Sequence, residues 1–390
     1  MKKKAYIIDV YSKGSYHEVV NQSYLMMVSE LYEDVVYIGE KTSCENLQQL
    51  LDKCHFAYDN VKFEKHAFQK IECRNKGLQY LLKILHVSFL DFFYYMSISE
   101  DADIFYNNNL FGAILLIQWL SFGKKNRIFD MCHNEMELID ALAPKSRATL
   151  FISVIFSIAF KKIHLSKKFH FILLSPKMVK YFCSYIPTKN KGRIFSMDLS
   201  YIRPENNIDV ENLKNNYFKI GLPGAITPTR GLSILKDILG NIQSDDIFFY
   251  GISTISEEIE DPHFEALNKD GKLMPFARYN AYVKSMDALM LLYDINSYKL
   301  TASAAILEAI WNEKPIIALK NSYFNYLFET FGEMGVLCDD VGSLILELHR
   351  FVLIPDKEKY IKNIREAKRM LLPINVKNQL LKIINFNYYD

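Results

Sequence analysis

The chain has 390 residues, room for two domains of ordinary size. Half of it is apolar, 24% is charged, and glycine (15) and proline (11) are sparse, which excludes collagen-like, disordered and low-complexity classes. The formal net charge of +2 is nearly balanced overall, although its distribution along the chain is not.

Taken in order, the basic start MKKK runs into KAYIIDV, which reads as a buried strand. Too few apolar residues precede Asp9 for a signal peptide. The six cysteines show no C-x-x-C pair and no zinc-like spacing, so free thiols in a reducing cytoplasm are expected. After the first strand comes YSKGSYHEVVN. Its Gly14 lets the backbone approach a phosphate or sugar, or simply makes a tight turn. HEVVNQSYLMMVSELY reads as a helix and VVYI as the next strand. NKGLQYLLKILHVSFLDFFYYM is the longest helix; with Lys83, His86 and Asp91 inside it, it reads as packed rather than spanning. DIFYNN, NRIFDM and RIFSM read as further strands. The D-A-D run at Asp101 to Asp103 precedes a strand, and no convincing metal-binding motif appears.

RIFDMCHNEMELI places His133 and Glu135 just beyond an apolar strand, in a loop facing any interdomain cleft. A carboxylate or imidazole there suits general-base work on an acceptor hydroxyl. Acidic residues opening a helix, favoured by its dipole, are the bland reading. Between Asp140 and Asp198 no Asp or Glu occurs, while many lysines and arginines do. Within it, Ala148 to Phe160 is uncharged but shorter than the ~20 residues a spanning helix needs. Residues 141–197 therefore suit an anionic membrane surface, or a core helix ringed by solvated lysines. Nothing accompanies the charge that marks nucleic-acid binding.

The second half alternates more cleanly. NYFKIGLPGA, DIFFYGIS, GKLMPFA, DALMLLY, KPIIAL and GVLCDD read as strands with helices between, a parallel α/β pattern. The polar stretch Ser200 to Asn216 is the candidate linker. The expected division is a Rossmann-like domain over 1–200, another over 201–355, and a charged helical tail over 356–390 packing back on the first.

Within YKLTASAAILEAIWNEKPIIA, Glu308 is the one carboxylate in the apolar run Ala304 to Trp311. Thr301 and Ser303 are N-cap types, and the first-turn N–H groups beside Ala304 and Ala305 would accept a diphosphate closely. A buried carboxylate needs donors. A salt bridge would supply them, and so would two adjacent ribose hydroxyls.

The segment LEAIWNEKPIIA resembles the "EA … G-K-P-V-I-A" signature of the GT-B glycosyltransferases of the family-four, or "group one", type. GAITPTRG resembles that family's G-R-L-x-x-x-K-G segment. The resemblance is good over roughly residues 216–345 and thin over the first half. It implies an α/β fold of two Rossmann-like domains facing a central cleft. It implies that Glu308 holds the nucleotide ribose and that Arg230 neutralises the donor diphosphate. It also implies that His133 contacts the transferred sugar. Two positions depart from the pattern. Ala225 replaces an arginine, for which Lys299 and Arg278 are possible substitutes, and Leu300 replaces the family's first glutamate.

The expectation is a metal-independent hexosyltransferase without cofactor, using a nucleotide sugar. Its acceptor would be a saccharide or lipid-linked saccharide of bacterial surface polysaccharide assembly, met on the inner face of the plasma membrane. A nucleotide-sugar epimerase of the same architecture and a non-catalytic binding subunit are the alternatives.

Overall fold

The computed structural model describes residues 2–386 apart from 69–70, 72, 108–111, 122, 134, 140–146, 206–207, 209, 211–212, 215, 229, 243, 245, 269–273, 294–298 and 355–356. The chain forms two compact units. The first comprises Met1–Pro204 with Leu300–Ala302 and Leu371–Asp390; the second comprises Glu205–Lys299 and Ser303–Met370.

The first unit is built on strands β1 (Lys4–Asp9), β2 (Asp34–Glu40), β3 (Val61–His66), β4 (Asp103–Tyr106), β5 (Ile128–Met131), β6 (Phe169–Leu173) and β7 (Ile194–Ser196). They pair in the order β3-β2-β1-β4-β5-β6-β7, every pair parallel. The central strands are unbroken buried runs, as a sheet covered by helices on both faces requires. β3 alternates lysine and glutamate with apolar residues because it is an edge strand with one side in water.

The second unit holds β8 (Phe218–Leu222), β9 (Ile247–Gly251), β10 (Phe264–Ala266), β11 (Ala288–Leu291), β12 (Ile316–Leu319) and β13 (Gly335–Cys338). Their order is β10-β9-β8-β11-β12-β13, again all parallel. Each sheet reverses its winding once, at β1–β4 and at β8–β11. Crossovers there leave on opposite faces, opening a crevice beyond the strand ends.

Two expectations need correction. The strand expected in GKLMPFA does not form where the residues are described. Pro275, with φ −55° and ψ 134°, instead leads into helix Phe276–Lys284, and the edge strand lies earlier, at β10. The tail is also divided. Helix Glu358–Met370 stays with the second unit, where Arg365 and Lys368 pair with Glu313 at 2.8 and 3.2 Å. Helix Pro373–Ile384 joins the first. It packs on helix Glu18–Ser29, where Lys377 pairs with Glu30, and Gln379 exchanges hydrogen bonds with Asp198.

Arg127 fastens this last helix to the sheet. Its guanidinium donates to both carboxylate oxygens of Asp103 at 2.9 and 2.6 Å, and to the carbonyl of Ile384. Among the described residues no helix is long and apolar enough to cross a membrane.

Candidate functional site

The second unit's candidate site lies at the carboxyl ends of β8 and β11. After β8 the chain turns through Pro223 to Gly231 and enters helix Leu232–Asn241. Gly231 has φ 77°, and a Cβ on it would lie 2.3 Å from the carbonyl oxygen of Leu292. Only glycine lets this loop press against the end of β11. The backbone of Arg230 closes the turn on Thr227, leaving its guanidinium in solvent with no ion pair among the described residues. Tyr279 donates to the carbonyl of Pro223 at 2.9 Å, and the Tyr293 hydroxyl lies 3.2 Å from where a Cβ on Gly224 would stand.

Beyond β11, helix Ala304–Trp311 starts at Ser303, whose φ of −97° and ψ of 116° are those of a cap. Its hydroxyl nevertheless caps nothing. It is 1% exposed and has no hydrogen-bond partner. Ala304 beside it is exposed, so the helix's first N–H groups are reachable. Glu308 is buried on the same helix, about 7 Å further along its axis. Lys299 is half-buried. Leu300 is buried, and its N–H donates to Glu137 Oε1 at 2.7 Å; the Thr301 hydroxyl donates to the same oxygen at 3.0 Å. Thr301 is thus occupied within the first unit, whereas Arg230, Ser303, Ala304 and Glu308 follow β8 and β11, the central strands of the second sheet.

In the first unit, Asp9 at the end of β1 accepts from the Ser12 N–H at 3.1 Å, the Tyr37 hydroxyl at 2.8 Å and the Asn21 amide. Asn107, just past β4, donates to Asn21 at 2.6 Å. This buried network fixes the β1 loop. Gly14 there has φ 58° and nothing within 4 Å of where a Cβ would stand, so its side is open to a ligand. His17 also adopts a left-handed conformation, φ 58°, and its ring meets that of His133 edge-on at 5.1 Å. The loops after β1 and β5, which carry Gly14 and His133, therefore touch.

His133 is 8% exposed, and its Nε2 is buried without a partner. Burial, reinforced by His17, pushes its pKa down to about 3, so the ring is neutral. Glu135 opens a short 3-10 helix, Glu135–Ile139, and both its oxygens accept from the His133 N–H, at 2.9 and 3.1 Å. Burial and the neighbouring Asp130 hold its carboxyl well above the usual range. Asp130, Cys132 and Glu135 each bring a possible metal-ligand atom within 4.8 Å of the others. The Cys132 thiol donates to the Asp130 carbonyl at 3.3 Å, and burial among carboxylates pushes its pKa up, so it keeps its proton.

These shifts carry a pH dependence. His133 and His170, the latter lowered to about 4 by burial, bind fewer protons folded than unfolded below pH ~6.5. Their stabilisation is complete above that pH and is lost as pH falls towards their folded values. Glu135 and Asp91, both raised, work in the opposite direction. His170 lies 4.6 Å from Phe129 and 5.5 Å from Phe195, so phenylalanine fits its place. In denaturant titrations at pH 7.5 and 5.5, His170→Phe should lose about 1 kcal/mol less stability between the two than the wild type. An identical loss would contradict the assignment.

No protein-family model matches the sequence, and no curated protein does. Solved structures match it along nearly its whole length. The N-terminal domain of Candida albicans trehalose-6-phosphate phosphatase superposes with a TM-score of 0.60 at 9% identity, covering 98% of this chain and 97% of that one. WaaG, a glycosyltransferase involved in lipopolysaccharide biosynthesis, gives 0.57 at 10%, covering 98% and 100%. A Staphylococcus aureus TarM mutant in complex with fondaparinux, alpha-GlcNAc-glycerol and UDP gives 0.58 at 10%, covering 99% and 100%.

The chain has the GT-B fold. At these identities the likeness concerns architecture, two Rossmann-like domains, and the chemistry rests on the chain's own residues. On the GT-B frame Ala225 is half-buried and Leu300 buried, and neither side chain carries a charge. Arg278 is exposed and donates to the Tyr282 hydroxyl at 3.2 Å. Sequence reasoning missed Tyr279, Tyr293 and Asn280. Asn280 is fully buried with both amide atoms unpartnered. A helix reading treats such an asparagine as an ordinary polar position; only its burial singles it out.

Proposed function

We propose that the chain is a glycosyltransferase that takes a sugar from a nucleotide donor and transfers it to a saccharide hydroxyl. The observation that carries this reading is the unsatisfied, buried Ser303 hydroxyl at the start of the helix bearing buried Glu308. Buried hydroxyls ordinarily have partners, and a diphosphate oxygen at that helix start would supply one. Glu308 accepts from the ribose hydroxyls, and exposed Arg230 pairs with the diphosphate bidentately. The helix dipole and this cation stabilise the leaving group, so the transfer is proposed to be metal-independent.

In the first unit, neutral His133 offers Nε2 for a sugar hydroxyl, and Glu135, in its ionised form, serves as base for the acceptor. A hexosyl donor and a lipid-linked acceptor of bacterial surface polysaccharide assembly, met on the inner membrane face, complete the proposal. WaaG's role in lipopolysaccharide synthesis and the UDP bound to TarM support it by analogy. Buried Leu300, where related enzymes place a glutamate, favours a donor-binding subunit without turnover as the second reading.

The test is thermal unfolding with UDP, GDP, ADP, CMP and dTDP in turn. A nucleotide at a hundredfold its dissociation constant should stabilise the protein by about 2.7 kcal/mol. No shift with any of the five would sink the donor site. A shift without turnover over a wide acceptor panel would favour the second reading.

A further inference from the structure

We infer that the outward face of two packed helices in the first unit, Lys76–Ser97 and Arg147–Ser157, docks on an anionic lipid bilayer. This deepens the membrane part of the reading above and concerns the surface that carries it, whatever the reaction.

Helix Lys76–Ser97 turns one side inward, with Ile84, Val87, Ser88, Asp91 and Tyr95 buried. Its other side should then be polar. Instead Leu78, Leu82, Leu85, Phe89, Phe93 and Met96, spaced by three and four, form a continuous apolar stripe in solvent. Phe89 and Phe93 are 59% and 54% exposed. Helix Arg147–Ser157 packs beside it and repeats the pattern, with Ile152 and Phe156 buried but Leu150, Phe151 and Val154 exposed, and Ile158 extending the row. Between the two helices runs an apolar groove lined by Leu81, Ile84, Leu85, Phe151, Ile152 and Phe156. An apolar stripe facing solvent on each of two adjacent helices makes one exposed apolar patch of the kind that marks an interaction surface.

Charge selects the occupant. The carboxylate of helix Lys76–Ser97, Asp91, is buried, and between residues 147 and 197 the chain has no acid at all. Arg74, Lys76, Lys162 and Lys167 are exposed around or just beyond these helices, and the exposed acids just past Ser97, Glu100 and Asp101, are paired with Lys4 and Lys2. Two copies meeting through this face would bring like charges together, whereas anionic headgroups would attract them. With no helix among the described residues able to span, the fit is to lying on the bilayer with the two stripes inserted.

The experiment sediments the full chain with vesicles of phosphatidylcholine, with and without phosphatidylglycerol. Wild type should bind the anionic vesicles, more weakly in high salt. A Phe89→Ser, Phe93→Ser, Phe151→Ser variant should bind at least tenfold more weakly with an unchanged melting curve. Lys76→Glu with Lys162→Glu should lose the preference for phosphatidylglycerol. Binding by the triple variant equal to wild type would overturn the inference. So would a wild-type dimer, seen by light scattering, that the triple variant dissolves. Vesicle binding without any nucleotide shift would leave the docking face standing while the transferase reading fell.

Discussion

Replacing Glu308 by alanine is expected to cost the protein its nucleotide while leaving the fold in place. The carboxylate is buried on a helix whose other inward residues, Ile306, Leu307, Ala309 and Ile310, already supply the packing. What it offers is acceptor capacity midway along the helix. Hydrogen bonds to a charged group are worth about 1.5–3 kcal/mol each, so losing two from a ribose should weaken binding by about a hundredfold or more. Isothermal titration with the nucleotide that stabilises the wild type measures this directly. The alanine variant should still fold, because the helix keeps its apolar contacts. Undiminished affinity would reassign Glu308 to structure. Collapse of the fold would mean that a salt bridge was the carboxylate's real employment.

The second large effect is structural. Asp103 is fully buried and accepts three hydrogen bonds, two from Arg127 and one from the Tyr32 hydroxyl at 2.8 Å. Asp103→Ala removes the anion and leaves a largely buried guanidinium uncompensated, a change that typically costs about 3–5 kcal/mol. Tyr32→Phe removes a single hydrogen bond to a charged group and should cost about 1.5–3 kcal/mol. Urea midpoints at fixed slope give both values. If the two variants lost the same small amount, the Arg127 pair would be contributing nothing beyond an ordinary surface bridge.

Much of the fold was readable because each central strand is a short apolar run bounded by polar residues. FHFIL, which is β6, escaped notice because it follows closely on a longer apolar segment that dominated the reading. VKFEKH, which is β3, was missed because an edge strand's alternating charges imitate a loop. The candidate donor loop and Glu308 stood out from local chemistry, since a lone carboxylate in an apolar helix demands a reason. What could not be read was which hydroxyl lacks a partner. Ser303 and Asn280 are distinguished only by burial, and burial depends on residues far away in the chain. The same limit hid the stripe from Leu78 to Met96. A helix with Lys83, His86 and Asp91 along it reads as packed, and only the fold shows that its second face remains outside.

The first unit begins at the chain's first strand but is completed by its last helix. Arg127, between β4 and β5 in sequence, closes on the carbonyl of Ile384, and Val376, Leu380 and Ile383 fill the space over helix Glu18–Ser29. On a ribosome adding 5–20 residues each second, the stretch from Pro204 to that helix takes roughly 10–40 s to make. Throughout that interval the amino-terminal half is a sheet still waiting for its cover. A fragment ending at Pro204 would remain in that condition permanently.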